Sequence, residues 1–237
     1  LNEALAEMGS SVDLGPDETR EELVAEVTVV GDPAVAAAAI ADADALDVAA
    51  RWIGDAGRSP LAGMAMVRDA EAAEVLWIGA DVLDDPAVGA ALAGHRNVRG
   101  HDVKPLMRSM LALGVEMRGL TLDTAIAAYL IDPAEARYAL PDLIEKYTRF
   151  ARPSDGAAGS GQLDLDGTSM ADADLAGRDA LAVNALAEPI VASMEAQGMA
   201  ELYRTIENPL VLVLAKMEHV GVGVDVDELR ALGNGLA

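Results

Sequence analysis

In the stretch TLDTAIAAYLIDPAEARYALPDL, from Thr121 to Leu143, an acid stands at the mouth of a helical pattern and a second acid precedes a proline. Carboxylates in such a cluster can transfer protons or hold a divalent cation, so Asp123 and Asp132 have the residue type of a site. The same residues also have a structural reading. Asp123 precedes TAIAAYLI where an N-cap belongs, and its carboxylate can accept from the N–H groups of the first turn. Asp132-Pro133 marks the helix end. Tyr129, Ile126 and Leu130 share one helical face, which assigns the tyrosine to core packing. The stretch reads as scaffold.

Other candidate groups are sparse. His95, His101 and His219 do not pair at ligand spacing, and a loop or helix-surface role is expected for each. Asp164-Leu165-Asp166-Gly167 faintly matches a calcium loop but lacks the third acid and the distal glutamate, so it reads as a flexible acidic loop. Without cysteine the chain has neither a disulfide framework nor a Cys-ligated zinc. Lys104, Arg108 and Arg118 form a modest basic cluster, read as helix surface balancing acidic surroundings. Met64, Met66, Met107, Met110 and Met117 read as core filler. Gly57 and Gly63 fit turn and strand-packing roles and belong to no phosphate-binding loop. A net charge of −23 repels a phosphate backbone, so weak or no DNA binding by the chain alone is expected. No apolar run approaches the roughly 20 residues of a membrane span.

These groups need elements to position them. Residues 1–23 are polar and aperiodic and read as a linker. EVTVV (26–30) is a β-branched strand, PAVAAAAIADA a helix, and ALDVAARWI (45–53) a strand followed by a turn at 54–60. LAGMAMV (61–67) and EVLWIG (74–79) follow at hairpin spacing. DDPAVGAALAG (84–94) opens a helix with acids and closes it with glycine, and NVRG (97–100) is a short strand. This order predicts an α/β domain with a mixed sheet. From 102 onward the pattern is mainly helical. Residues 154–169 read as a mobile Gly/Ser/Asp loop, and 171–205 as one or two helices with a kink or break at Pro189. Leu210, Val213, Leu214 and Met217 fall on one helical face, Gly221 ends that helix, and Asp225 opens the next element. The chain starts at Leu1 and stops at LGNGLA inside a helical pattern, which reads as an excised fragment.

YRTIENPLVLVLAKMEHVGVGVDVDELRAL (203–232), with Glu207, Pro209, Leu210, Met217, Glu218, Gly221 and Asp225, resembles the joint between the exonuclease-like and polymerase domains of family A DNA polymerases. LDTAIAAYLIDPAEARYALPDLIEKY (122–147) resembles a second segment of that family, and the two together extend the resemblance over about residues 24–237. The resemblance implies an α/β, ribonuclease H-like exonuclease fold, a mixed central sheet flanked by helices, followed by a mainly helical C-terminal segment. It implies a linker over 1–23, an exonuclease-like domain over 24–205 and the first helices of the polymerase domain over 206–237. In many members of the family this fold is a 3′→5′ proofreading exonuclease. Four carboxylates then hold two metal ions, one activating water and one stabilising the leaving oxygen, and a tyrosine orients the water.

Transferred to this sequence, the family's first-strand Asp falls on Asp47 and its Glu on Ala49; sliding by one residue gives Val48 and Ala50 instead. The second motif aligns with HDVKPL, which puts Leu106 at the catalytic Asp and Asp102 at a family Asn. The third aligns with LAGRD, placing Leu175 at the tyrosine and Asp179 at the Asp. Asp123 corresponds to none of the four acids. Asp47, Ala49, Leu106, Leu175 and Asp179 are therefore expected to be vestigial positions, with no catalytic or metal-binding residue in the chain and no cofactor of its own. Mg²⁺ is expected for a parent polymerase, and the expected partners are the polymerase domain of the same chain and, through it, primer–template DNA. A bacterial, cytoplasmic, nucleoid-associated location follows from the resemblance. Two alternatives stand: an active exonuclease using, for example, Asp47, Asp102 and Asp179, and a binding module for DNA or a protein partner, the protein being favoured if the face of helix 207–220 is exposed.

Overall fold

The computed structural model describes residues 20–151 and 170–236. Most of the expected linker, and the whole 154–169 loop with its Asp164–Gly167 acids, lie outside that range. The described elements are β1 (Glu26–Val30), α1 (Pro33–Asp42), β2 (Leu46–Trp52), β3 (Leu61–Asp69), β4 (Glu74–Gly79), α2 (Ala80–Leu83), α3 (Pro86–Gly94), β5 (Val98–Gly100), α4 (Lys104–Ala112), β6 (Leu120–Asp123), α5 (Thr124–Ile131), α6 (Leu140–Tyr147), α7 (Met170–Ala196), α8 (Ala200–Leu202), a π-helical turn (Tyr203–Glu207), α9 (Asn208–Val220) and α10 (Val226–Leu236).

The strands form one six-stranded sheet in the order β1-β4-β3-β2-β5-β6. β3 runs antiparallel to β2 and β4, whereas β1 pairs with β4, β5 with β2, and β6 with β5 in parallel. The mixed sheet is as expected, with one addition. β6 was not legible, because LTLD is only four residues long and its side chains are buried at three positions, so neither alternation nor length distinguishes it from the helix it feeds.

Side chains alternate across β2 and send it into two layers. Leu46, Val48 and Ala50 join α1, α3, α4 and the buried Val211 and Ala215 of α9 in the larger core, where Met64, Met66, Met107, Met110 and Met117 are also buried. On the opposite face Ala49 packs with Ala65, Trp77 and the small residues Ala173, Ala176 and Ala180 of α7. A third cluster joins α5, α6 and the C-terminal half of α7. Gly63 is required by the close approach of β4: a Cβ there would enter the Trp77 ring and lie 2.7 Å from the Ile78 carbonyl oxygen.

Caps follow sequence. Asp32 and Asp85 each accept from the N–H two residues on and start α1 and α3 ahead of a proline; the acids of DDPAVG thus precede the first turn rather than occupy it. Asp225 accepts from Asp227 and Glu228, and Gly221, at φ 75°, terminates α9. Pro189 does not break α7, which runs unbroken for 27 residues. The proline removes one N–H from the ladder, while packing of Leu186, Ile190 and Met194 holds both sides in one helix.

Tyr129 corrects a further expectation. It is 47% exposed and meets Tyr138 edge-on with centroids 5.9 Å apart. Ala127 and Ala128 fill the inward side of α5 in its place. α9 docks on α4 through Val211 and Ala215 and is clipped by charge: Glu218 pairs with Lys104 at 2.7 Å and Arg108 at 3.9 Å, while Lys216 pairs with Glu116. Arg118 also pairs with Glu116, so the basic residues of the expected cluster divide between two separate acids. Arg118 and Lys216 together hold the Glu116 carboxyl down at about 2.

Candidate functional site

A cleft of about 320 Å³ opens beyond the C-terminal half of β2, lined by residues 48–52, the 101–106 loop and start of α4, Ala139, Leu140 and, from α7, Asp179 and Val183. Of the vestigial positions, Ala49, Leu106 and Asp179 line it. Asp47 lies outside that lining and Leu175 faces solvent, 45% exposed. Ala49 carries no polar atom, and Leu106 is buried among Val48, Ala50, Met107 and Met110. The shifted register, Val48 and Ala50, places two apolar residues on the face that Leu106 shares.

Each remaining acid has its own arginine. Asp47, 1% exposed, accepts a bidentate pair from Arg99 at 2.6 and 2.5 Å and a third bond from Asn184 at 2.8 Å. The fork geometry of the guanidinium suits a carboxylate, and the third donor occupies a further lone pair. Asp179 accepts from Arg51 at 2.7 Å in a half-buried pair. Among the described residues no group of three or more His, Cys, Asp or Glu side chains is arranged to hold a metal ion.

Below the cleft rim the carboxylate of Asp123 is a hub. It accepts from the N–H groups of Asp102 (3.1 Å), Val103 (2.8 Å), Ala125 (3.0 Å) and Ile126 (3.4 Å), so one buried side chain caps α5 and fastens the 101–103 loop. Burial pushes its pKa upward, opposed first by the Val103 N–H and then by His101. His101 sits beside it, its Nδ1 2.9 Å from Thr124 Oγ1, and burial pushes that imidazole below its ordinary value despite Asp123, Asp102 and Asp179 nearby. Asp102 adopts φ 47°, a left-handed conformation that Asp tolerates better than most residues. The Tyr203 hydroxyl accepts from the Asp123 N–H at 2.6 Å and donates to Asn208 Oδ1 at 3.2 Å, and Asn208 Nδ2 donates to the Leu120 carbonyl at 2.7 Å. Burial raises the Tyr203 phenol above its ordinary pKa.

The N-cap role of Asp123 was legible because its first acceptor contacts lie within three residues. Its grip on the 101–103 loop was not, nor were Arg99, Arg51, Asn184 and Tyr203, whose partners are 52 to 137 residues away. His95 holds a loop position as expected, at the end of α3, but it is buried there, with Nε2 2.9 Å from the Ala43 carbonyl and Nδ1 accepting from the Asn97 N–H, which makes Nε2 the protonated nitrogen.

The mixed sheet with helices on both faces, and a cleft at the end of its central strand, define a ribonuclease H-like 3′–5′ exonuclease fold. NrnC of Brucella melitensis superposes with a TM-score of 0.64 at 15% identity, over 82% of this chain and 92% of that one. The POL domain of Pol1 from M. smegmatis, solved with DNA primer-template and dNTP, superposes with a TM-score of 0.66 at 25% identity, over 88% of this chain and 35% of that one. In sequence the chain is 30% identical over 217 residues to DNA polymerase I of Geobacillus stearothermophilus, covering 76% of this chain and 24% of the relative. No protein-family model matches it. The chain belongs with the DNA polymerase I family, whose members it matches at 30–34% identity. It spans between 14% and 24% of the length of the curated relatives it matches. Among the described residues no helix is long and apolar enough to cross a membrane.

Proposed function

We propose that this chain is a catalytically inactive exonuclease-like domain whose task is to support and orient a DNA polymerase I polymerase domain. The observation that carries this reading is the arginine pairing of the acids that remain: Asp47 is bound to Arg99 and Asp179 to Arg51. Two divalent ions about 4 Å apart need several carboxylate oxygens free to converge on them. Here Ala49 and Leu106 supply no oxygen, and each remaining acid is already neutralised. The residue set does not fit a metal pair.

The rival exonuclease reading, with Asp47, Asp102 and Asp179 as ligands, requires those acids to face one point. Asp102 and Asp179 line the cleft and Asp47 does not. On the favoured reading, residues 24–205 form the inert domain and 206–237 begin the polymerase domain. The parent performs Mg²⁺-dependent, template-directed DNA synthesis in replication and repair on primer–template DNA, in the bacterial cytoplasm at the nucleoid. The chain alone binds DNA weakly or not at all, given its charge of −23.

Metal binding tests the reading. Titration with Mn²⁺, followed by electron paramagnetic resonance, is expected to give no site tighter than about millimolar. A micromolar site that disappears in Asp47→Ala or Asp179→Ala would overturn it.

A further inference from the structure

The helix that leads into the C-terminal segment is not regular. Tyr203–Glu207 forms a π-helical turn, in which the Asn208 N–H reaches the Tyr203 carbonyl five residues back. Such a turn holds one more residue than the α-helical ladder would. Resolving it into the α-helical register would require a shift of one residue, about 1.5 Å along the axis and about 100° around it. The turn thus stands one discrete register step away from the α-helical ladder, and an element that can take two such registers can couple two regions of a protein.

The turn stands between two regions. On one side, Asn208 opens α9, the helix whose Leu210, Val213, Leu214 and Met217 are exposed. On the other side, the buried Tyr203 places its hydroxyl on the Asp123 N–H, and the Asp123 carboxylate holds the N–H groups of Asp102 and Val103 at the cleft rim. Asn208 closes the circuit by bonding both Tyr203 and the Leu120 carbonyl at the start of β6. A one-residue register change would swing Tyr203 away from Asp123 and leave the Asp123 N–H unpaired in a buried place, a cost that couples the two ends.

We propose that the π-turn is a register switch that links the position of α9 to the shape of the cleft rim, with Tyr203 as the connecting residue. The linkage holds whether or not the cleft has nuclease activity, so it stands or falls separately from that reading. Whatever packs on the exposed face of α9 would favour one register, and the 101–103 rim would follow.

Residue-resolved amide exchange on the 237-residue chain tests this. In the wild type, the amides of Asp102, Val103 and Asp123 are expected to open together with Asn208, at one free energy below that of Met64 and Ala65 in β3. Tyr203→Phe and deletion of Thr205, which removes the extra residue of the turn, are each expected to raise exchange at Asp102 and Val103 about tenfold while leaving β3 unchanged. Combining them should add nothing further, because both break one linkage. Unchanged exchange at the rim, a uniform rise that includes β3, or multiplicative effects in the combined variant would overturn the proposal. Should a variant fail to fold, the wild-type pattern alone decides: openings at the rim and at Asn208 with different free energies contradict the switch.

Discussion

A carboxylate is worth what its surroundings let it do, and three aspartates here show three outcomes. Asp47 and Asp179, two of the positions expected to be vestigial, are each committed to a guanidinium. Asp123 is committed to four backbone N–H groups. Asp123→Ala would strand those donors, so unfolding in urea should show a loss of about 2–4 kcal/mol, more than a simple surface cap. His101 gives a pH-dependent counterpart. Its folded-state pKa is depressed by burial, so below about pH 6.5 the unfolded chain takes up a proton that the folded chain refuses. Its contribution is present above that pH and is lost as pH falls. Thermal melts of the wild type and His101→Gln should diverge at pH 7 and converge towards pH 5.5, and the imidazole proton resonance of His101 should titrate below 6.5. Sequence showed the Asp123 cap, because it rests on local spacing. It could not show which arginine meets which acid, since that depends on strands and helices closing over 52 and 128 residues.

Elements were legible where a local cap or an alternation dictated them. Asp32-Pro33, Asp85-Pro86 and Gly221 set helix ends that the fold keeps. β6 escaped because four residues carry too little pattern, and Pro189 did not end its helix because tertiary packing outweighs one lost ladder bond. Tyr129 misled for a related reason: α5 contacts the core through Ala127 and Ala128, and the larger side chain one step round faces outward. Gly63 is the opposite case, a position read correctly as strand packing. Gly63→Ala would press a methyl into Trp77 and the β4 backbone, and denaturant unfolding should show a loss of about 1–3 kcal/mol. The Glu218 clips to Lys104 and Arg108 are partly exposed, so Glu218→Gln should move the denaturant midpoint only slightly, and less still in high salt.

At the scale of the molecule, α9 leaves an apolar surface open. Leu210, Val213, Leu214 and Met217, the last 63% exposed, form the outer face of α9 while Val211 and Ala215 bury the inner one. An apolar stripe of this kind normally has a partner, and in the proposed function that partner is the polymerase domain. Val213→Lys with Met217→Lys should therefore leave the melting temperature of this chain nearly unchanged, yet in a full-length polymerase should loosen the domain junction and expose it to limited proteolysis. Retained junction protection in that variant would separate the α9 face from the interface. The central claim, that the exonuclease-like cleft does no chemistry, is tested most directly by incubating the chain with a 5′-labelled single strand in Mg²⁺ and then Mn²⁺. Asp47→Ala combined with Asp179→Ala serves as the control. The account predicts no shortening of the strand beyond that control. A ladder of products that the double substitution abolishes would mean that the arginine-bound acids hold metal after all.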